Sequence, residues 1–285
     1  MTDVAELTRQ ESQGVAPLPL RESTPDSRRM SVRDVATSWG VARIFAARDI
    51  KVKYKQSLLG PVWLLLQPLG MLAAITIAFS GVTNVDTRGV PYVLFGLVGI
   101  TVWNFISMTI SVAPTAYASN AALVKRSTAP RPAFITAMVA SNLPLLGIIM
   151  SVTLVATVIG NGLPLQVLLL PVFVVWLLAF TWSLVLFIAP LAARFRDAIA
   201  LVPLIVQAGI FISPVGYDVS SAPKNIQTLV ALNPVTGLIE GWRWCILGMA
   251  PDVVVVLVAV AWTVVLLTTG WYVFRKMEVR LADFV

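Results

Sequence analysis

The chain has 285 residues, 58% of them hydrophobic and only 12% charged, with a mean hydropathy of +0.84. A soluble globular domain carries about twice that share of charge, so a soluble fold is excluded and an all-α integral membrane protein is expected, its formal net charge of +7 suited to an anionic leaflet. There is no His and a single Cys, Cys245, which removes the side-chain clusters that hold metals, any internal disulfide, and His-based acid–base catalysis.

Residues 1–30 are polar and lack the apolar core of a signal peptide, so they read as a disordered cytoplasmic tail. Residues 31–57 predict an interfacial amphipathic helix. Ser31 and Asp34 form a capping-box-like start, and Val35, Trp39, Ala42, Ala46 and Ile50 recur on one helical face. Lys51, Lys53 and Lys55 then alternate with Val52 and Tyr54, placing cationic heads beside apolar bodies as the headgroup level requires. An ordinary soluble helix is the alternative reading of this segment. Ser57 to Gly60 breaks the direction of the chain, and Pro61 stands just inside the next helix, where its missing N–H costs nothing.

Residues 58–274 hold uncharged runs of about 20 residues, the length needed to cross a bilayer. Asn161-Gly162-Leu163-Pro164 is a turn signal that divides the longest run. Six spans are therefore expected, at about 61–81, 91–117, 133–158, 165–190, 198–215 and 253–274, followed by a cytoplasmic tail, 275–285. Of the 21 Lys and Arg, all but Arg88, Lys224 and Arg243 fall on the side of the N-terminus, which predicts that both termini are cytoplasmic. The outer segment 213–251 is too long for a turn and too apolar for a free loop. Broken by Pro214, Pro223 and Pro234, it reads as two short re-entrant helices, tolerated only where protein or a water-filled path satisfies their backbone. Trp242 and Trp244 within it read as interfacial anchors.

No GxxxxGK[ST] phosphate loop occurs, and the expected spans contain no acid or base of the kind that ion-coupled transporters place at mid-membrane. A secondary transporter is thereby disfavoured, and ATP on a partner chain is the remaining common source of energy. The second span carries a polar stripe, Thr101, Asn104, Ser107, Ser111 and Thr115, with Tyr92, Trp103 and Tyr117 on the same segment. Hydroxyls, an amide and aromatic faces suit a sugar path; small polar residues equally let membrane helices pack closely, and both readings stand. After it, Ser119, Asn120, Leu123, Val124, Lys125 and Arg126 form a short capped helix ended by Pro130. A membrane-embedded glycosyltransferase would need clustered acids, and no DxD is present.

The order Arg48, Asp49, Lys53-Tyr54, Ser57, Leu59-Gly60, Pro61, Trp63, Pro68-Leu69 resembles the entrance to the membrane domain of polysaccharide and O-antigen export permeases, the membrane subunits of type-2 ABC exporters. Ser213-Pro214-Val215-x-Tyr217, Asn233-Pro234, Arg196-Asp197 and the ending Phe274, Glu278, Ala282-Asp283 look like the same family's pattern. The resemblance implies a homodimer in the bacterial inner membrane, paired with two ABC ATPase subunits that bind ATP and magnesium, with no cofactor on this chain and no nucleic acid partner. It implies export of a lipid-linked polysaccharide, an O-antigen-like glycan or a cell-wall galactan, with teichoic acid or another amphiphile as the alternative. It further implies that residues 119–126 are the helix coupling to the ATPase. Trp39, Arg48, Asp49, Lys53, Tyr54 and Trp63 would then form an interfacial gate, and Pro214, Tyr217, Asn233, Pro234 and Trp242 the re-entrant outer segment.

Overall fold

The computed structural model describes residues 32–54, 62–80, 87–117 and 132–278. The expected coupling helix 119–126, the tail 1–30 and the break at Ser57 to Pro61 lie outside the described residues, as do residues 279–285 of the C-terminal tail. Among the described residues all regular structure is helical, in ten α-helices. These are α1 (Val32–Tyr54), α2 (Trp63–Ser80), α3 (Tyr92–Val112), α4 (Pro132–Ser141), α5 (Leu143–Gly160), α6 (Leu170–Arg194), α7 (Ala198–Ile212), α8 (Lys224–Leu232), α9 (Pro234–Leu247) and α10 (Val253–Glu278).

Four stretches are long and apolar enough to cross a membrane: Tyr92–Thr115, Pro132–Gly160, Leu165–Arg194 and Val253–Met277. The apolar parts of α2 and α7, Leu65–Ile77 and Ala198–Ile212, are shorter. At 1.5 Å per residue the 15 residues of α7 rise about 22 Å, under the ~30 Å of a bilayer core.

The core is built around α3, which packs against α2, α5, α6, α7 and α9 and has 83% of its span buried, against 22% for the span of α10. Small residues set these approaches. A Cβ on Gly99 would run into the backbone of Val215, and one on Gly209 of α7 would meet the Trp103 ring at 2.6 Å. In α9, Gly237 lies against the Val255 carbonyl and Ala259 of α10, while Gly241 lies against Phe173 of α6. This is the close backbone approach that membrane helices use in place of a hydrophobic drive.

The third expected span is not one continuous helix. α4 ends at Ser141, Asn142 turns, and Pro144 opens α5, because a proline in a helix interior removes a donor and clashes with the preceding turn. The Asn142 amide donates to Thr109 Oγ1 of α3 at 3.1 Å, which ties the break to the core. Most buried hydroxyls bond to their own helix: Thr109 to Phe105 O, Thr153 to Ile149 O, Thr157 to Thr153 O and Thr181 to Leu177 O, each at 2.8 Å.

α1 lies along α4. Ala42 and Ala46 of its expected apolar face are buried, and Phe45 stacks on Phe134 with ring centroids 5.1 Å apart. Part of the face expected to meet lipid is thus turned onto protein, while Trp39 stays 49% exposed.

Candidate functional site

The segment between α7 and α10 is tied to the rest of the described chain by a dense set of hydrogen bonds. Asn233 caps α9: its Oδ1 accepts from Val235 N at 3.0 Å, its amide donates to Ser213 Oγ at 3.0 Å, and Pro234 takes the first helical position. Gly248, at φ +73°, ends α9 in the left-handed conformation that glycine adopts without strain. Only 14 residues long, α9 is buried on almost every side.

At its centre is Arg243, 3% exposed. Its Nη2 donates to the carbonyls of Pro214 at 2.9 Å and Val215 at 2.8 Å, its Nη1 reaches the Tyr217 carbonyl at 3.4 Å, and its guanidinium carbon lies 3.4 Å from the Phe95 ring centroid of α3. The planar fork of an arginine can serve adjacent carbonyls and an aromatic face together, which a lysine cannot. Its Nε has no hydrogen-bond partner among the described residues. Burial pulls the guanidinium down to about 9, against the favourable fields of Asp218 and Glu240; it remains charged at neutral pH.

Glu240 stands one turn before Arg243. It accepts from Asp252 N at 2.9 Å, and burial pushes its carboxyl above the usual range. Asp218 accepts from Ser220 Oγ and lies 3.7 Å from Arg88. Arg88 also donates to Ala250 O at 2.6 Å and holds φ at +53°, a strained value for a non-glycine residue. The loop before α3, the loop after α7 and the loop between α9 and α10 are thereby tied into one cluster. Tyr92 adds to it by donating from its hydroxyl to Gly216 O at 2.7 Å, and Tyr217 donates to Phe211 O and Ile212 O, both at 3.1 Å.

The structure brings Tyr92, Pro214, Tyr217, Asn233 and Pro234 together here. The reading of Trp242 as an interfacial anchor is overturned: its side chain is 0% exposed, inside the protein, and its Nε1 has no hydrogen-bond partner among the described residues. Arg243, Glu240, Asp218 and Arg88 were not expected as site residues. Their signal was an acid and a base three apart, hence on one face, in a segment otherwise too apolar for a loop.

The α3 stripe grades from buried to exposed. Thr101 is buried and shares a 2.9 Å hydrogen bond with Thr153 of α5, and Trp103 packs on Gly209. Ser107 donates to Asn104 O at 3.2 Å, Ser111 to Ser107 O at 2.7 Å and Thr115 to Val112 O at 3.1 Å, so these hydroxyls turn back on the helix. Asn104 differs: its buried amide nitrogen has no hydrogen-bond partner among the described residues. On the other side of the chain Arg48 and Asp49 pair with each other at 2.8 Å, and Trp63 is exposed. Lys53 and Tyr54 close α1. Among the described residues no group of three His, Cys, Asp or Glu could hold a metal.

Four stretches long and apolar enough to cross a membrane, one of them, α3, almost wholly buried, define an integral membrane protein. The family follows from comparison with known proteins. The ABC-2 type transporter family matches residues 41–247, most of the chain, and the chain belongs to that family. Two O-antigen export system permease proteins RfbA of Klebsiella pneumoniae are each 22% identical over 244 residues, covering 85% of this chain and 93% of the relative. The O-antigen export system permease protein RfbA of Myxococcus xanthus is 24% identical over 258 residues, covering 89% and 98%. Membership makes the chain a membrane subunit and implies an ABC ATPase partner.

Proposed function

We propose that this chain is the permease subunit that carries a lipid-linked polysaccharide from the cytoplasm to the outer face of the bacterial inner membrane, driven by a separate ABC ATPase. The observation that carries this reading is similarity to O-antigen export permeases over nearly their whole length, 93% and 98%. In it α2 and α7 join the four long stretches to give six spans. Both termini are cytoplasmic, and α8 and α9 are the re-entrant outer segment, of which α9 is buried in protein as such a segment requires. The cargo is an O-antigen-like glycan or a cell-wall galactan.

The transporter is a homodimer of this chain with two ATPase subunits, which bind ATP and magnesium. Large apolar side chains exposed on α2 and α7, among them Leu66, Leu69, Leu204, Ile205 and Phe211, support a second copy packed on these helices, and the Asn104 amide nitrogen supports a polar path along α3. Residues 119–126 are the contact with the ATPase.

The test is depletion of the chain in its host. Lipid-linked glycan is expected to accumulate on the cytoplasmic side and return to the outer face on re-expression, and the purified chain is expected to bring down an ATPase. Normal surface glycan after depletion, with no ATPase bound, would overturn the reading.

A further inference from the structure

A cleft of about 300 Å³ opens between the helices, lined by none of the residues of the Arg243 cluster. Its walls come from five helices: Trp39 of α1, Ala140 of α4, Leu143 of α5, Ala179 and Trp182 of α6, and Leu267 of α10. The polar atoms there are already used, since Trp182 Nε1 donates to Thr136 Oγ1 at 3.2 Å. Water finds no partners in such a space and apolar cavities stay dry. At one side Trp271 of α10 packs against Trp182 with ring centroids 6.4 Å apart.

The direction of α1 places charge one turn from this cleft. Phe45 stacks on Phe134 near the start of α4, while Trp39 lines the cleft with Ala140 and Leu143. α1 therefore runs antiparallel to α4, and Arg43, one turn on from Trp39, sits nearer than Trp39 to the start of α4. Arg43 is exposed, as are Arg48 and Lys51 beyond it.

We infer that the cleft is a binding site for one anionic phospholipid, with an acyl chain between α1, α4, α6 and α10 and the phosphate at Arg43. Shape alone does not retain such a molecule, because a chain leaving the bilayer for the cleft exchanges one apolar surrounding for another and gains only packing contacts. Retention comes from adding the charge of α1 to that fit. The bound lipid would hold α1, which buries little more than Ala42 and Ala46 of its described side chains, against the spanning helices.

The test uses the full chain with its ATPase, in cells fed a fatty acid carrying a photoreactive diazirine. Irradiation is expected to label peptides containing Ala140–Leu143 and Leu178–Trp182 well above the exposed faces of α10. Ala179→Trp and, separately, Ala140→Leu fill the cleft and are expected to remove that excess, whereas Val264→Trp, on an exposed face of α10, leaves it. Arg43→Gln is expected to lower the phosphatidylglycerol retained by the purified protein about fivefold. Even labelling of all lipid-facing helices in the unaltered protein overturns the site, and so does undiminished labelling in both filled variants. Heavier labelling of the same peptides by a diazirine polyprenyl phosphate overturns the occupant.

Discussion

Replacing Arg243 by Met keeps most of the side-chain volume and removes the guanidinium. Three carbonyls, those of Pro214, Val215 and Tyr217, then lose their donor, and an unsatisfied buried acceptor costs about 1–3 kcal/mol. The stacking over Phe95 at 3.4 Å is lost too, about 2 kcal/mol for a desolvated pair. Against these stands the desolvation of a buried cation, which Met no longer requires, so the net loss is about 3–5 kcal/mol, as when one partner of a buried charge network is removed. The loss is local, falling on the 213–217 turn that α9 holds against α3. Thermal unfolding of the detergent-solubilised protein should drop by several degrees, and an externally added protease should cut between Ser213 and Pro223 in the variant only. Arg243→Lys should fall between, because an ammonium cannot bridge adjacent carbonyls and stack in one pose. A Met variant with the native melting temperature and a resistant loop would refute the clamp.

Gly237→Val should destabilise by about 1–3 kcal/mol through overpacking against Val255 and Ala259, read as loss of the monodisperse species on gel filtration. Asn104→Leu with Ser111→Leu should cut glycan export while insertion and ATPase binding persist; a variant that comes apart instead would mark the stripe as packing. Leu123→Asp with Val124→Asp should abolish ATPase co-purification or export with normal insertion, and native export would remove the coupling role from residues 119–126. With Cys245 replaced, Ser221→Cys should react with an impermeant thiol reagent from outside and Ser127→Cys should not; labelling of Ser127→Cys alone would invert the topology.

The class of the protein was legible because a bilayer imposes length and apolarity on every helix that crosses it, and the Arg48 to Leu69 motif led to a family that the comparison bears out. The Asn142 break was legible in principle from Pro144, but hydropathy is blind to it: the residues around it are apolar on both sides. The outer cluster was hidden for a different reason. Arg88 meets Ala250 across 162 positions and Arg243 meets Pro214 across 29, and pairings at such separations leave no trace in spacing or periodicity. Trp242 failed because a tryptophan near a membrane boundary carries the same local signal whether it faces headgroups or fills a core. Gly241 beside it lies against Phe173 and Trp176 of α6, a close approach that hydropathy does not register.

The same contacts locate where work can travel. α3 is 21 residues long, about 31 Å at 1.5 Å per residue, and is gripped at its N-terminal end by the Tyr92 bond to Gly216 and by Arg243 over Phe95. Its other end runs through a 3₁₀ turn, Ala113–Thr115, towards residues 118–131, which include the proposed contact with the ATPase. A buried helix held along its length by α2, α5, α6, α7 and α9 cannot tilt freely, so displacement at one end is delivered to the other as translation or rotation about its axis. Its outer neighbours are fixed by charge and carbonyl contacts with few alternative partners. α2 and α7 bury little against the rest of the chain: in α7 only Val202 and Ile210 are buried. A push along α3 is therefore resisted most directly by the cluster around Arg243, where charge and carbonyl contacts converge.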